Sequence, residues 1–171
     1  MTDTRAWYLE PMKRLAVFLL WGLLAATAFA QSDQSVDNPV EVLVEIFVVS
    51  EVQGEEQFRQ ATTARPGQVV EYRVTAVNRG PDTLPEGIVE VLGPIPNGTT
   101  FIGNTATPSS ERVLTEFSAN GTDFSQEPVV IEGAQEREVA APEDYEAIRW
   151  TLLVPMEPGQ EETFVYRVTV D

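Results

Sequence analysis

The chain has 171 residues and contains no histidine and no cysteine. Without them it cannot build a Ser-His-Asp or Cys-His nucleophile, a zinc finger or a disulfide. Positive charge is also scarce. Eleven Lys and Arg stand against 27 Asp and Glu, a formal net charge of −16. Such a chain repels the phosphates of nucleic acid, which excludes nucleic acid as a partner. Sustained helical periods are missing as well, and the 12 Pro and 11 Gly would interrupt them.

What is present begins with a targeting signature. Lys13 and Arg14 precede an uncharged run of 16 residues, Leu15 to Ala30, that ends in Ala28-Phe29-Ala30 before Gln31. A basic start, a short apolar stretch and small residues at the exit read as a signal peptide over residues 1–30, cleaved after Ala30. The competing reading is a retained membrane anchor, but the run falls short of the roughly 20 residues that span a bilayer. Met12, just before the basic pair, is an alternative start. The expected product is exported to the periplasm, cell surface or medium, with no stable membrane insertion after cleavage.

Cleavage sharpens the composition. Taking Arg5, Lys13 and Arg14 from the 11 basic residues leaves 8, all Arg; taking Asp3 and Glu10 from the 27 acidic ones leaves 25; the net charge becomes −17. With no Lys left, Ser-Lys catalysis, Schiff-base chemistry and a P-loop are excluded from the exported form. Carboxylates remain, and a pair of them can serve glycoside hydrolysis. The candidates Glu132, Glu136, Glu138, Glu143, Asp144 and Glu146 cluster in loops, and no spacing sets two in opposition. Trp150, the one Trp beyond residue 30, falls on an inward phase and reads as core rather than a sugar platform. No enzyme activity is expected.

From residue 40 onward the period is two. Val70, Tyr72, Val74 and Ala76 alternate with polar residues, as do Phe164, Tyr166, Val168 and Val170, and Ile148, Trp150, Leu152 and Val154; each predicts a half-buried strand. Residues 88–92 and 99–102 are shorter candidates. Pro66-Gly67, Gly80-Pro81-Asp82, Asn97-Gly98, Asn120-Gly121 and Pro158-Gly159 mark turns between them. Asn120-Gly121 predicts a hairpin between residues 113–117 and Phe124. Asn97-Gly-Thr99 and Asn120-Gly-Thr122 also match the N-glycosylation pattern and are read as turns. Seven or eight short strands predict an antiparallel β-sandwich, with 31–39 a polar leader and 40–171 a single domain.

The run Val40–Val52 differs from the others. Val42, Val44, Ile46 and Val48 share one face, while Leu43, Phe47 and Val49 share the other with Glu41 and Glu45. Apolar character on both faces has two readings: a strand that bridges both sheets, covered on either side, or a strand offered to a neighbouring molecule. On the second reading Val42, Leu43, Phe47 and Val49 are the interaction residues.

Ordered segments then resemble a known family. Residues 65–82, with Pro66-Gly67, the alternation around Tyr72, and Asn78-Arg-Gly80-Pro81, resemble the opening of the DUF11 conserved-repeat domain. Residues 93–101 and 153–170, the latter with Pro158-Gly159-Gln160, resemble its later segments. Together these cover about residues 40–171. Two positions depart from the family pattern: Gly93 and Gln68 stand where Asp is usual. The resemblance implies an immunoglobulin-like sandwich in secreted or surface proteins, and no enzyme activity.

Pro66, Gly67, Asn78, Gly80, Pro158 and Gly159 are expected to be structural turn residues. Asn78 falls on the inward phase, where its amide is costly unless it bonds turn backbone near Gly80. Two functions remain open. The first is a non-catalytic envelope or extracellular module that binds envelope or surface proteins, or itself, through residues 40–52. The second is a soluble binding module for Ca²⁺ or a glycan. Asp82, Asp123, Glu143, Asp144 and Glu146 are the nearest approach to a calcium site; otherwise they form a solvated acidic surface.

Overall fold

The computed structural model describes residues 38–132 and 137–171. The expected signal peptide and most of the leader lie outside them. Among the described residues no helix is long and apolar enough to cross a membrane.

Ten strands follow in chain order: β1 (Val40–Val52), β2 (Glu55–Gln60), β3 (Val69–Asn78), β4 (Glu90–Pro94), β5 (Thr99–Phe101), β6 (Val113–Ser118), β7 (Val130–Glu132), β8 (Arg137–Val139), β9 (Ala147–Leu152) and β10 (Glu161–Val170). A single 3₁₀ turn at Pro142–Asp144 precedes β9. All pairings among the strands are antiparallel. One sheet has the order β2-β1-β3-β10-β5 and the other β4-β9-β6, while β7 and β8 form a separate hairpin. The fold is the all-β antiparallel sandwich that the alternation predicts, with ten strands where seven or eight were expected.

The predicted inward phases meet between the sheets. Val70, Val74, Ala76, Phe164, Tyr166 and Val168 come from the five-stranded sheet, and Val91, Val113, Ile148, Trp150 and Leu152 from the three-stranded one; all are buried. Trp150 is fully buried and stacks on Phe164 at 5.2 Å between ring centroids. Its indole N–H donates to the Thr107 carbonyl at 3.2 Å. Truncating such a ring typically costs about 3–5 kcal/mol.

Trp150 also explains why residue 93 is a glycine. A Cβ on Gly93 would lie 2.7 Å from the indole and 3.0 Å from the Tyr166 ring. The aromatic core occupies the space a side chain would need, so an Asp there is sterically excluded.

Three features differ from the sequence reading. The hairpin β1–β2, turned by Gln53 and Gly54 at φ 56° and 86°, was not expected. Two consecutive positive φ values suit a two-residue hairpin turn. β2 escapes the alternation test because Phe58 is its one apolar residue and every position is exposed. Next, β1 does not bridge the two sheets: it pairs with β2 and β3 within one. Finally, the Asn120-Gly121 hairpin closes on a single pair, Phe117 with Ser125, whose backbones exchange bonds of 2.8 and 3.0 Å. Asn120 Oδ1 accepts from the N–H groups of Thr122 and Asp123, so the loop is tied internally.

Candidate functional site

The two turns expected at Pro66-Gly67 and Pro158-Gly159 are built alike. Gly67 and Gly159 take φ of 80° and 76°. Gln68 N–H donates to the Arg65 carbonyl at 3.1 Å, and Gln160 N–H to Glu157 at 3.0 Å. Each glutamine side chain then accepts from the backbone N–H three residues earlier, Gln68 from Arg65 at 2.8 Å and Gln160 from Glu157 at 2.9 Å. Gln68 therefore caps its own turn. The strands that follow pair with each other, and Tyr72 stacks on Tyr166 at 4.9 Å.

Asn78 is fully buried, and its amide is completely used. Nδ2 donates to the carbonyls of Asp82 and Met156, both at 2.9 Å, and Oδ1 accepts from Gly80 N–H at 3.0 Å. The bond to Gly80 is the expected one; the bond to Met156 extends the lock to the other sheet's return loop. A Cβ on Gly80 would stand 2.8 Å from that of Pro39. The lock thus also seats the start of β1.

On the outer face of the five-stranded sheet, Glu71 is buried between two arginines. It accepts from Arg73 Nε and Arg167 Nε, each at 2.8 Å. Arg167 also grips both Glu56 oxygens at 2.7 and 2.8 Å. These hydrogen bonds, the one to Glu56 foremost, raise the Arg167 pKa, and Arg167 in turn lowers that of Glu56. The Arg73 guanidinium lies over the rings of Phe47 and Phe58, at 4.4 and 4.9 Å from their centroids, a favourable cation–π geometry. This cluster fastens β2 across β1 to β3 and β10.

The tyrosines are core groups rather than acid–base ones. Burial raises the Tyr166 pKa, and its hydroxyl donates to the Pro94 carbonyl at 2.7 Å. Burial, then the bond to Glu127 at 3.0 Å, pushes Tyr145 up to about 12.

The expected interaction strand divides in two. Phe47 and Val49 lie opposite Gln60 and Phe58 of β2 and are half-buried. Val42 and Leu43 are 48% and 43% exposed, and Val44, which the site reading omitted, is 55% exposed. The ladder with β2 ends at Phe47 and Gln60, after which Ala61 N–H donates to the Ile46 carbonyl at 3.0 Å. Beyond that bond, Val40–Glu45 keep β3 on one side, with no strand on the other among the described residues.

Strand geometry states which groups face the open side. Ile46 turns its carbonyl toward β2, and Pro39 turns its own toward Arg79 after β3. Alternation along an antiparallel ladder then directs even residues outward. Val42 and Val44 present their N–H and C=O groups to the open edge. The Val40 N–H is taken by Asn38 Oδ1 at 3.1 Å.

The acidic candidates are placed apart. Asp82 follows the Gly80-Pro81 turn, Asp123 accepts from Asn120 Nδ2 at 2.7 Å, and Asp144 Oδ2 accepts from Ala141 N–H at 3.3 Å. Glu143 is exposed in the 3₁₀ turn. The Glu146 carboxylate reaches the Gly121 turn. Among the described residues no three acidic side chains gather as metal ligands would. Comparison of the chain with family models, curated proteins and solved structures finds nothing that matches.

Proposed function

We propose that this chain is an exported, non-catalytic interaction module of the cell envelope or extracellular space, which takes up an extended protein strand along the first half of β1. The observation that carries this reading is the open edge itself. Most sheet edges are protected by shortness, Pro, Lys or a bulge. Here Val42 and Val44 present backbone groups with no strand against them among the described residues, and Val42, Leu43 and Val44 present apolar side chains on both faces. A strand added there gains ladder hydrogen bonds for affinity and side-chain contacts for selectivity.

The signal-peptide pattern before Gln31 and the DUF11 resemblance support export. The residue inventory, without His, Cys or, past Lys13, any Lys, supports a non-catalytic role.

Cell fractionation with mass measurement tests the first half of the reading. The chain is expected outside the cytoplasm with Gln31 as its N-terminus, and an uncleaved cytoplasmic product overturns export. Hydrogen exchange tests the second half. Val42 and Val44 amides exchange quickly in the purified protein and slow down in envelope extract; identical rates in both overturn strand uptake.

A further inference from the structure

The inference concerns the occupant of that edge and rests on the strand-uptake reading above. We infer that the edge takes a cationic partner strand, one whose apolar residue is flanked two positions away on each side by Arg or Lys. Glu41, Leu43 and Glu45 stand on one face of β1, and Val42 and Val44 on the other. A strand laid antiparallel against them places a basic residue opposite each glutamate and an apolar one opposite Leu43. Opposite charges directly across a ladder are favourable, and like charges are not.

The charge balance of the molecule points the same way. Arg73, Arg79, Arg112, Arg149 and Arg167 are each already held in an ion pair with a glutamate. The carboxylates outnumber the arginines beyond residue 30 by 25 to 8, so the field of the protein attracts cations. Glu45 has no ion-pair partner among the described residues. Glu41 shares Arg79 at 2.7 Å, in a pair exposed on both sides. Arg73 stands directly across the ladder from Glu45, but its guanidinium is bonded to Glu71 and lies over Phe47 and Phe58; Arg59, across from Val48, belongs to the opposite face. A second copy of the chain fits less well. Centring two β1 edges on Leu43 sets Glu41 against Glu45 twice, between molecules that each carry a large negative charge.

The probe is a short synthetic peptide with the core Arg-Val-Val-Val-Arg, which sets Arg against Glu41 and Glu45 and Val against Leu43, compared with counterparts carrying glutamate or serine in place of arginine. Titration into the purified protein, followed by hydrogen exchange and calorimetry, is expected to slow the Val42 and Val44 amides with the arginine peptide. The glutamate peptide should bind at least about tenfold more weakly, by the magnitude of close charge pairs, and added salt should weaken the arginine peptide. Val42→Pro removes an outward N–H while leaving the β3 ladder whole, and weakens binding about tenfold. Glu45→Gln, an uncharged change at an exposed site across from Arg73, narrows the preference for the arginine peptide over the glutamate one.

Equal binding of all three peptides, or a dimer in light scattering that Val42→Pro dissociates, overturns the cationic occupant and leaves strand uptake standing. Fast exchange at Val42 and Val44 with every peptide and at every protein concentration overturns both. Slow exchange at these amides in the peptide-free monomer also overturns both, because the chain then covers its own edge.

Discussion

The two halves of β1 have nearly the same composition and opposite fates. Residues 40–46 read V-E-V-L-V-E-I and residues 47–52 read F-V-V-S-E-V. In the second half Val48 is 4% exposed, Phe47 lies beneath the Arg73 guanidinium and β2 closes the ladder. In the first half Val42, Leu43 and Val44 remain open, and among the described residues one edge has no strand on it. Apolar alternation therefore says that a residue can be buried, not that it is. Closure of the backbone edge depends on how far the neighbouring strand runs, whereas side-chain burial also depends on what packs on the sheet face: Val52, paired with Glu55, is still 44% exposed. Here β2 runs six residues from its turn and then departs.

The largest effect that sharpens the contrast comes from placing the same charge in each half. Val48→Asp strands a carboxylate in the core and should cost about 4 kcal/mol or unfold the domain. Val44→Asp should stay within about 0.5 kcal/mol. Urea denaturation of both variants measures the difference, and similar losses would mean that the first half is covered.

Proline substitution probes the same boundary by parity. Leu43→Pro removes an N–H that faces β3 and should cost about 3 kcal/mol, whereas Val42→Pro, facing outward, should cost less than about 1 kcal/mol. Thermal melts of the pair check it, and the reverse order would show that the assigned edge is the wrong one.

Arg167 tests what holds the second half closed. Arg167→Met leaves Glu71 bonded to Arg73 alone and Glu56 unpaired. A loss of about 1–3 kcal/mol is expected, together with faster hydrogen exchange in β2 and unchanged exchange at Val42 and Val44.

The smallest effect is acid. Arg167 holds the Glu56 pKa below its ordinary value. A carboxylate depressed in this way contributes its stabilisation above the ordinary carboxylate range, and that contribution fades as pH falls through and below it. Amides of β2 should therefore lose protection, after correction for intrinsic rates, as pH drops toward 3. The open half of β1 should show no matching change. Protection in β2 that stays level with pH would remove Glu56–Arg167 from the account.

Much of the architecture was legible because it is local. Alternation located β3, β9 and β10, since a period of two puts every second side chain into the core. The two Pro-Gly-Gln turns were legible because Gly at positive φ and Pro at fixed φ define a turn within four residues. Asn78 was legible for a related reason: an amide on an inward phase must find backbone to bond. The hairpin partner β2 was less so. Its signal was the pair Gln53-Gly54, and its strand carries too little apolar character to announce itself. The four interaction residues separate by exposure for the same reason. Phe47 and Val49 are half-buried beside β2, and Val44, no different from Val42 by pattern, is the most exposed of the group.

The amino-acid sequence by itself determined the sandwich class, the inward faces, the turn residues and the chemistry that this chain lacks, because these follow from side-chain type and short-range spacing. Only the tertiary structure decided that Gly93 yields its side-chain space to Trp150, that Glu71 is shared by Arg73 and Arg167, and that β1 is closed over one half and open over the other. Each of these depends on which distant segment arrives alongside. That is a matter of pairing and close packing across many residues, which no local period encodes.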